Sequence, residues 1–286
     1  MESVVGLVKG NKRKKNIVRS LEKIGLEKIK DKIKNKRVII KPNLVSDSNQ
    51  LASTDVESVE AIVDFLNGGG VDNISVAEFS THDTTKAYKN FGYSRLDIDL
   101  VDLERESKFK TFKLDKGSRQ IKIAVSRYLL SDNFIISLAK PKTHNAVVAT
   151  LSIKNLLMGS IKNKSDMHRG YKEINRYLSL LAEELWPDLS IIDGFIGMEG
   201  NGPTSGQEVK SRWAISSLDA LAADWAALKC MSIDPSNIGY LHYLDQKNFG
   251  SYSRKGITIK GDKIKDCKKD YKLHDSIKEQ LQWKDD

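Results

Sequence analysis

Four short runs of almost unbroken apolar residues punctuate the chain: Val38-Ile39-Ile40, Ile74-Ser75-Val76-Ala77, Phe134-Ile135-Ile136-Ser137-Leu138 and Leu189-Ser190-Ile191-Ile192. A strand with one wet face alternates apolar and polar side chains, whereas a strand covered on both faces does not. These runs therefore predict a largely parallel sheet, at most mixed, with helices on both faces: an α/β fold. The intervening patterns agree. Thr54-Asp55-Val56-Glu57 is a capping box, Val59, Ile62, Val63 and Leu66 follow at helical spacing, and Gly68-Gly69-Gly70 ends the helix.

Further strands are predicted at residues 4–8, 98–101, 121–125 and 213–216, and helices at residues 87–91, 146–158, 174–185 and 218–231. Residues 1–250 read as one α/β domain. Residues 251–286 read as a polar, Lys-rich extension in which Gly256-Ile257-Thr258-Ile259 could add an edge strand. At 286 residues the chain buries roughly three quarters of its unfolded surface and needs no staple to fold.

The formal charge of +9 suggests nucleic acid until its placement is considered. Residues 9–37 hold 13 Lys and Arg against Glu22, Glu27 and Asp31, so this stretch carries the whole excess and the rest of the chain is nearly neutral. Ile17, Leu21, Ile24, Ile29 and Ile33 recur there at helical spacing, which predicts an amphipathic helix with a solvated basic face. The aromatic residues that would stack on single strands are missing, and nucleic-acid binding is ranked last. No apolar run is long enough to span a bilayer, the N-terminus lacks the pattern of a signal peptide, and a cytoplasmic protein is expected. The two cysteines, Cys230 and Cys267, are expected to be free thiols; they cannot build a four-cysteine cluster.

In open α/β sheets ligands bind at the carboxyl ends of strands, so polar residues just after apolar runs carry the most information. Four such places occur. Lys41-Pro42-Asn43 closes the first run, with Thr54 opening the next helix; a lysine and an amide beside a helix N-terminus suit an anion. Glu78, His82 and Asp83 follow the second run, but a solvated polar loop is the better reading of that trio. Lys142 and His144 follow the third run in Lys140-Pro141-Lys142-Thr143-His144, and Thr150, Lys154, Asn155 and His168 come after. A lysine sunk into an apolar helix loses solvation, which lowers its pKa and equips it as acid, base or anion clamp. The histidines titrate near neutrality and can transfer protons or bind a metal. The fourth place is Asp193-Gly194 with Glu199, Gly200, Gly202 and Gly206, where glycines let backbone approach a ligand and two carboxylates are candidates for a divalent metal.

Lys41-Pro42-Asn43-Leu44-Val45, Thr54-Asp55, Pro141-Lys142-Thr143-His144, Thr150 with Lys154-Asn155-Leu156, Met158-Gly159, His168, Ile192-Asp193-Gly194, Met198-Glu199-Gly200 with Gly202-Pro203 and Gly206, and Ser217 with Asp219 and Asp224 together resemble the domain of unknown function 362 family. The resemblance runs from about residue 4 to residue 248. It implies that these polar positions form a site and says little about substrate. Some relatives carry a ferredoxin-like module with two four-iron clusters, which implies a redox setting; this chain lacks the cysteines, so a cluster would come from a partner.

The resulting expectation is an enzyme that binds an anionic small molecule or cofactor. Lys41, Lys142 and Lys154 would clamp it, His144 and His168 would move protons, and Asp193 and Glu199 would hold a divalent cation or orient a base. The alternative is a noncatalytic accessory that docks on an iron–sulfur or redox partner through the basic stretch.

Overall fold

The computed structural model describes residues 2–105, 108–115 and 120–285. Its main sheet has eight strands: β1 (Ser3–Lys9), β2 (Arg37–Lys41), β3 (Ile74–Glu78), β4 (Asp99–Asp102), β7 (Asn133–Ala139), β10 (Leu189–Gly194), β13 (Trp213–Ser217) and β14 (Ile257–Gly261). They lie in the order β14-β1-β13-β10-β7-β2-β3-β4. β13 is antiparallel to both its neighbours, and every other pairing is parallel. The remaining strands form two small sheets. β5 (Phe109–Asp115) and β6 (Gln120–Ser126) make an antiparallel ribbon, while β8 (Lys142–His144), β9 (Val148–Thr150), β11 (Gly197–Glu199) and β12 (Gln207–Val209) pair in the order β12-β11-β8-β9. Residues 121–125 thus form a strand, but in the ribbon rather than the main sheet.

Helices cover both faces, as the unbroken apolar runs require. On one side, α1 (Arg13–Ile24), α2 (Leu26–Ile33), α3 (Val56–Gly68) and α4 (Thr84–Asn90) pack Ile17, Leu21, Ile29, Val59 and Ile62 against Val38, Ile40, Val76, Phe134, Ile136 and Ile191. After the single turn α5 (Arg127–Leu130), the other side is built from α6 (Ser152–Met158), α7 (Tyr171–Leu181), α8 (Ala220–Cys230) and α9 (Gly239–Gln246) against Ile39, Ala77, Ile135, Ile192 and Ile215. Successive residues of β2 point to opposite cores, which is the period-2 geometry of a strand buried twice. The basic stretch is two helices rather than one. Gly25, at φ +96°, separates α1 from α2, a conformation that side chains resist.

The segment after residue 250 is knitted into the body. β14 pairs with β1, and Cys267 and Tyr271 join the core. The short helices α10 (Ile264–Cys267) and α11 (Ile277–Gln280) lie beyond it. The Gln280 side chain accepts a 2.6 Å hydrogen bond from the Val148 backbone N–H. Val148, the first residue of β9 after its turn from β8, is held at φ +65°, strained for a β-branched residue. Gln280→Ala strands that buried N–H, and a loss of about 1–3 kcal/mol is expected in urea unfolding; a change below about 0.5 kcal/mol would show that the tail does not brace this turn.

Candidate functional site

β2, β3, β4, β7 and β10 run in one direction. The chain builds outward from β2 to β3 and β4 on one side, then returns to place β7 and β10 on the other. The order reverses between β2 and β7, and a crevice opens outside the carboxyl ends of strands at such a switch point. A cleft of about 450 Å³ lies there, lined among others by Lys41, Asn43, Glu78, Lys142, His144, Thr150, Lys154, Lys164 and His168. Four lysines and three histidines, His82 included, face it against one carboxylate.

Lys41 and Glu78 are the last residues of neighbouring strands and form a buried ion pair of 2.9 Å. Lys41 Nζ also donates to Pro42 O at 2.7 Å and to Asn155 Oδ1 at 3.3 Å, so all three ammonium protons are engaged. Glu78 accepts in addition from the backbone N–H of Leu44 at 2.9 Å and of Phe79 at 2.8 Å. Burial pulls the Lys41 pKa below its ordinary value while Glu78 opposes that pull. Gly159 makes room for the pair: a Cβ there would stand 2.0 Å from Lys41 Nζ and 2.5 Å from Glu78 Oε1.

Asn155 is the hub. Its Oδ1 also accepts from Asn43 Nδ2 at 3.0 Å, and its Nδ2 donates to Lys41 O at 3.2 Å and Ser137 Oγ at 3.1 Å. Its hydrogen-bonding capacity goes to other protein groups. Lys142 Nζ donates to Asn43 Oδ1 at 2.9 Å and Ala52 O at 2.7 Å, which leaves one donor direction. Burial, then Lys140 and Lys154, push its pKa well down, and an anion at the third donor position would oppose that pull and hold the ammonium form. Lys164 donates to Phe79 O and sits over the Phe79 ring; burial lowers its pKa to about 8.

The proton states of His144 and Lys154 follow from their partners. His144 Nδ1 accepts the Ala146 backbone N–H at 3.0 Å and so carries no proton. The neutral ring therefore holds its proton on Nε2, which lies 3.0 Å from Lys154 Nζ. Only a neutral amine has a lone pair for that proton. Burial, followed by the charge of Lys164, accordingly lowers the Lys154 pKa to about 7, and burial, followed by Lys154, pushes His144 well below its usual range. His168 stacks on His144 at 6.2 Å between ring centres. Its Nδ1–H donates to Lys164 O at 2.9 Å, which leaves Nε2 as the acceptor of the neutral ring, and the residue lines the cleft. Thr150 also lines the cleft, and its buried hydroxyl has no partner among the described residues.

Lys154 and Asn155 sit on the first turn of α6, whose N-terminus is fixed by Asp224 of α8. The carboxylate accepts from Ser152 N at 2.9 Å and Ile153 N at 3.2 Å; burial raises its pKa to about 8 against the pull of those two N–H groups. The helix expected over residues 146–158 begins only at Ser152. Val148-Ala149-Thr150 pairs instead with β8, placing Thr150 opposite Lys142. β-branched side chains favour the strand, and Thr150 and Lys154 reach the cleft from different elements rather than from one helical face.

The structure thus brings together Lys41, Asn43, Lys142, His144, Lys154, Asn155 and His168. Thr54 stands apart: its hydroxyl accepts from Asn43 N at 2.9 Å and donates to Leu138 O at 3.2 Å, tying β2 to β7. Gly200, Gly202 and Gly206 do not line the cleft; Pro203 and Thr204 of their loop do. A Cβ on Gly202 would lie 2.2 Å from Thr143 O and one on Gly206 2.2 Å from Glu199 O, so these glycines allow the loop to pack on backbone. Asp193 and Glu199 do not meet at a common ligand. Asp193 contacts Arg13 Nε at 3.1 Å and Ser58 Oγ at 2.7 Å, and Glu199 accepts from Lys272 N at 2.9 Å. Among the described residues no group of three or more His, Cys, Asp and Glu side chains is gathered for a metal ion.

Sequence reasoning discounted Glu78 and passed over Lys164 and Gly159 as cleft residues. Glu78 had a signal, an acid ending a buried strand beside the one that ends in Lys41. Lys164 lies on a short 3-10 turn with no pattern to mark it.

Fold and cleft together define a doubly covered α/β protein with a lysine-rich crevice at its switch point. The chain belongs to the DUF362 family, a domain of unknown function whose model matches residues 38–229. It is 28% identical over 214 residues to a thylakoid-associated protein of Synechocystis sp., an alignment covering 71% of this chain and 65% of that relative. The lactate racemase apoprotein of Thermoanaerobacterium thermosaccharolyticum has a similar fold, with a TM-score of 0.50 and 11% identity over 75% of this chain and 54% of that one. The chain therefore spans less than two thirds of either protein's length. Among the described residues no helix is long and apolar enough to cross a membrane.

Proposed function

We propose that this chain is an enzyme that binds a small anionic molecule in the cleft and moves a proton to or from it, with Lys154 as base and His144 as the group that sets its protonation. The supporting observation is the contact between His144 Nε2 and Lys154 Nζ, which demands an uncharged amine. A base works best with a pKa near the working pH, and burial brings Lys154 to about 7. His168, through Nε2, is the second proton-transfer group. The anion is held by the groups with donors to spare, Lys142 and Lys164, and by the Thr150 hydroxyl. Lys41 and Asn155, saturated by protein partners, shape the site and do not touch the ligand. The exposed cations of α1 and α2 play no part in this reading.

Malonate, lactate and inorganic phosphate, added in turn during thermal unfolding, test it. At least one should raise Tm saturably, since a ligand at 100 times its Kd stabilises by about 2.7 kcal/mol. Lys142→Ala should remove the shift. No shift from any anion, or an equal shift in the variant, would overturn the assignment.

A further inference from the structure

The base assigned above is also a nucleophile, and what surrounds it narrows the ligand class. An uncharged lysine amine in a water-accessible cleft is the reagent that adds to carbonyl groups; protonated surface lysines lack the lone pair. Lys154 is itself only 5% exposed, and its lone pair is engaged by a single reversible donor, His144 Nε2–H. Around it stand a hydroxyl without a partner among the described residues, Thr150, an acceptor nitrogen, His168 Nε2, and the unused donor of Lys142. This set matches the parts of one kind of molecule: a carbonyl carbon for the amine, a carbonyl oxygen for the hydroxyl and a carboxylate for the cation.

We propose that Lys154 forms an imine with a small 2-oxo acid bound in the cleft. The assignment rests on the proton-transfer reading above and adds to it the substrate class and a covalent step. Nζ adds its lone pair to the carbonyl carbon, and the carbonyl oxygen, hydrogen-bonded by Thr150, takes up the developing charge. His168 Nε2 accepts the proton that the nitrogen sheds and returns it to the leaving oxygen. The C–O bond breaks, C=N forms, and one water leaves with both amine hydrogens; nothing is oxidised or reduced. His144 Nε2–H, released from the amine, remains beside the nitrogen. The imine withdraws electrons from the neighbouring carbon, so a proton there becomes mobile; with Lys154 committed to the imine, His168 Nε2, the second proton-transfer group, is the base that takes it.

The test is reductive trapping on the full chain. Pyruvate with sodium borohydride should add to one site per chain, with a mass gain of one pyruvic acid less one oxygen atom, on the peptide that holds Lys154. Lys154→Met should abolish that adduct, and Thr150→Val should reduce it severalfold while leaving the melting temperature near that of the parent. An adduct spread over surface lysines, equal in Lys154→Met, would overturn the proposal. So would absence of the adduct when pyruvate without borohydride raises Tm and Lys142→Ala removes the rise; that outcome leaves the anion-binding function standing. Absence of both adduct and Tm rise with pyruvate, beside a rise with malonate or phosphate, rejects the 2-oxo acid class and again spares the anion site. Only silence from every anion sinks both.

Discussion

Glu78→Gln should lower the stability of the chain by about 3–5 kcal/mol, read as a fall in the urea midpoint at unchanged m, because it breaks a buried ion pair from one side. The carboxylate accepts from Lys41 Nζ and from the N–H groups of Leu44 and Phe79, and both its oxygens are engaged. An amide has one acceptor oxygen, so its NH2 must face at least one of those donors, and the Lys41 ammonium, 1% exposed, loses its counterion. The loss should be strongly non-additive. Adding Lys41→Met to Glu78→Gln removes the uncompensated charge and should recover a substantial part of it. A single-variant cost below about 1 kcal/mol would show that water or rearrangement already serves the pair. Gly159→Ala offers an independent route to the same defect, since its methyl occupies the space of Lys41 Nζ.

Lys154→Met should change how stability depends on pH. In the native chain the amine titrates near pH 7, whereas in the unfolded chain it keeps the ordinary value of 10.5. Between these values the unfolded state holds the extra proton, so wild-type stability rises with pH, by at most about 1.4 kcal/mol per unit from this group. Above the window the group imposes no penalty; as pH falls the penalty grows until it is complete below pH 7. The variant has no such group. Its stability relative to wild type is therefore best at pH 6–7 and should decline by about 3–4 kcal/mol as the pH is raised to 10. Lys140 and Lys164 are also depressed by burial, but they are common to both proteins and cancel in the difference, and Lys142 feels Lys154 only while that amine is charged, at the acid end of the window. A difference that stays flat between pH 7 and 10 would mean that Lys154 is charged in the folded protein, and the base, the nucleophile and the tautomer of His144 would all need reassignment.

The sheet was legible because burial on two faces leaves a mark no local choice can hide: Val38-Ile39-Ile40 has no position where a polar residue would be tolerated. The cleft was legible for a related reason. Lys41, Lys142 and Lys154 are polar residues in apolar surroundings, and such residues need a partner or a task. What sequence could not separate was partner from task. Lys41 and Asn155 read as ligand contacts, and what the sequence hid is that their side chains also bond protein groups 37 and 114 positions away in the chain. Asp193 appeared to belong to the site because it ends a strand, yet Arg13 of α1 has claimed it. The helix expected from residue 146 failed where Val148, Ala149 and Thr150 formed a strand. Lys164 had no periodicity to betray it; only the fold carries it to the cleft.

The place of β1 has a consequence for synthesis. This first strand pairs on one side with residues 213–217 and on the other with residues 257–261. Residues 37–139 supply β2, β3, β4 and β7, a contiguous parallel block, while β1 has no neighbour in the sheet until most of the chain has left the ribosome. Assembly should therefore start in the middle of the sequence and finish at its opening residues, with Val5 and Leu7 exposed on a waiting strand until then. Such late, long-range pairing is slow and prone to aggregation. A nascent chain halted before residue 213 should be a substrate for chaperones, whereas one halted after residue 261 should be able to close its sheet.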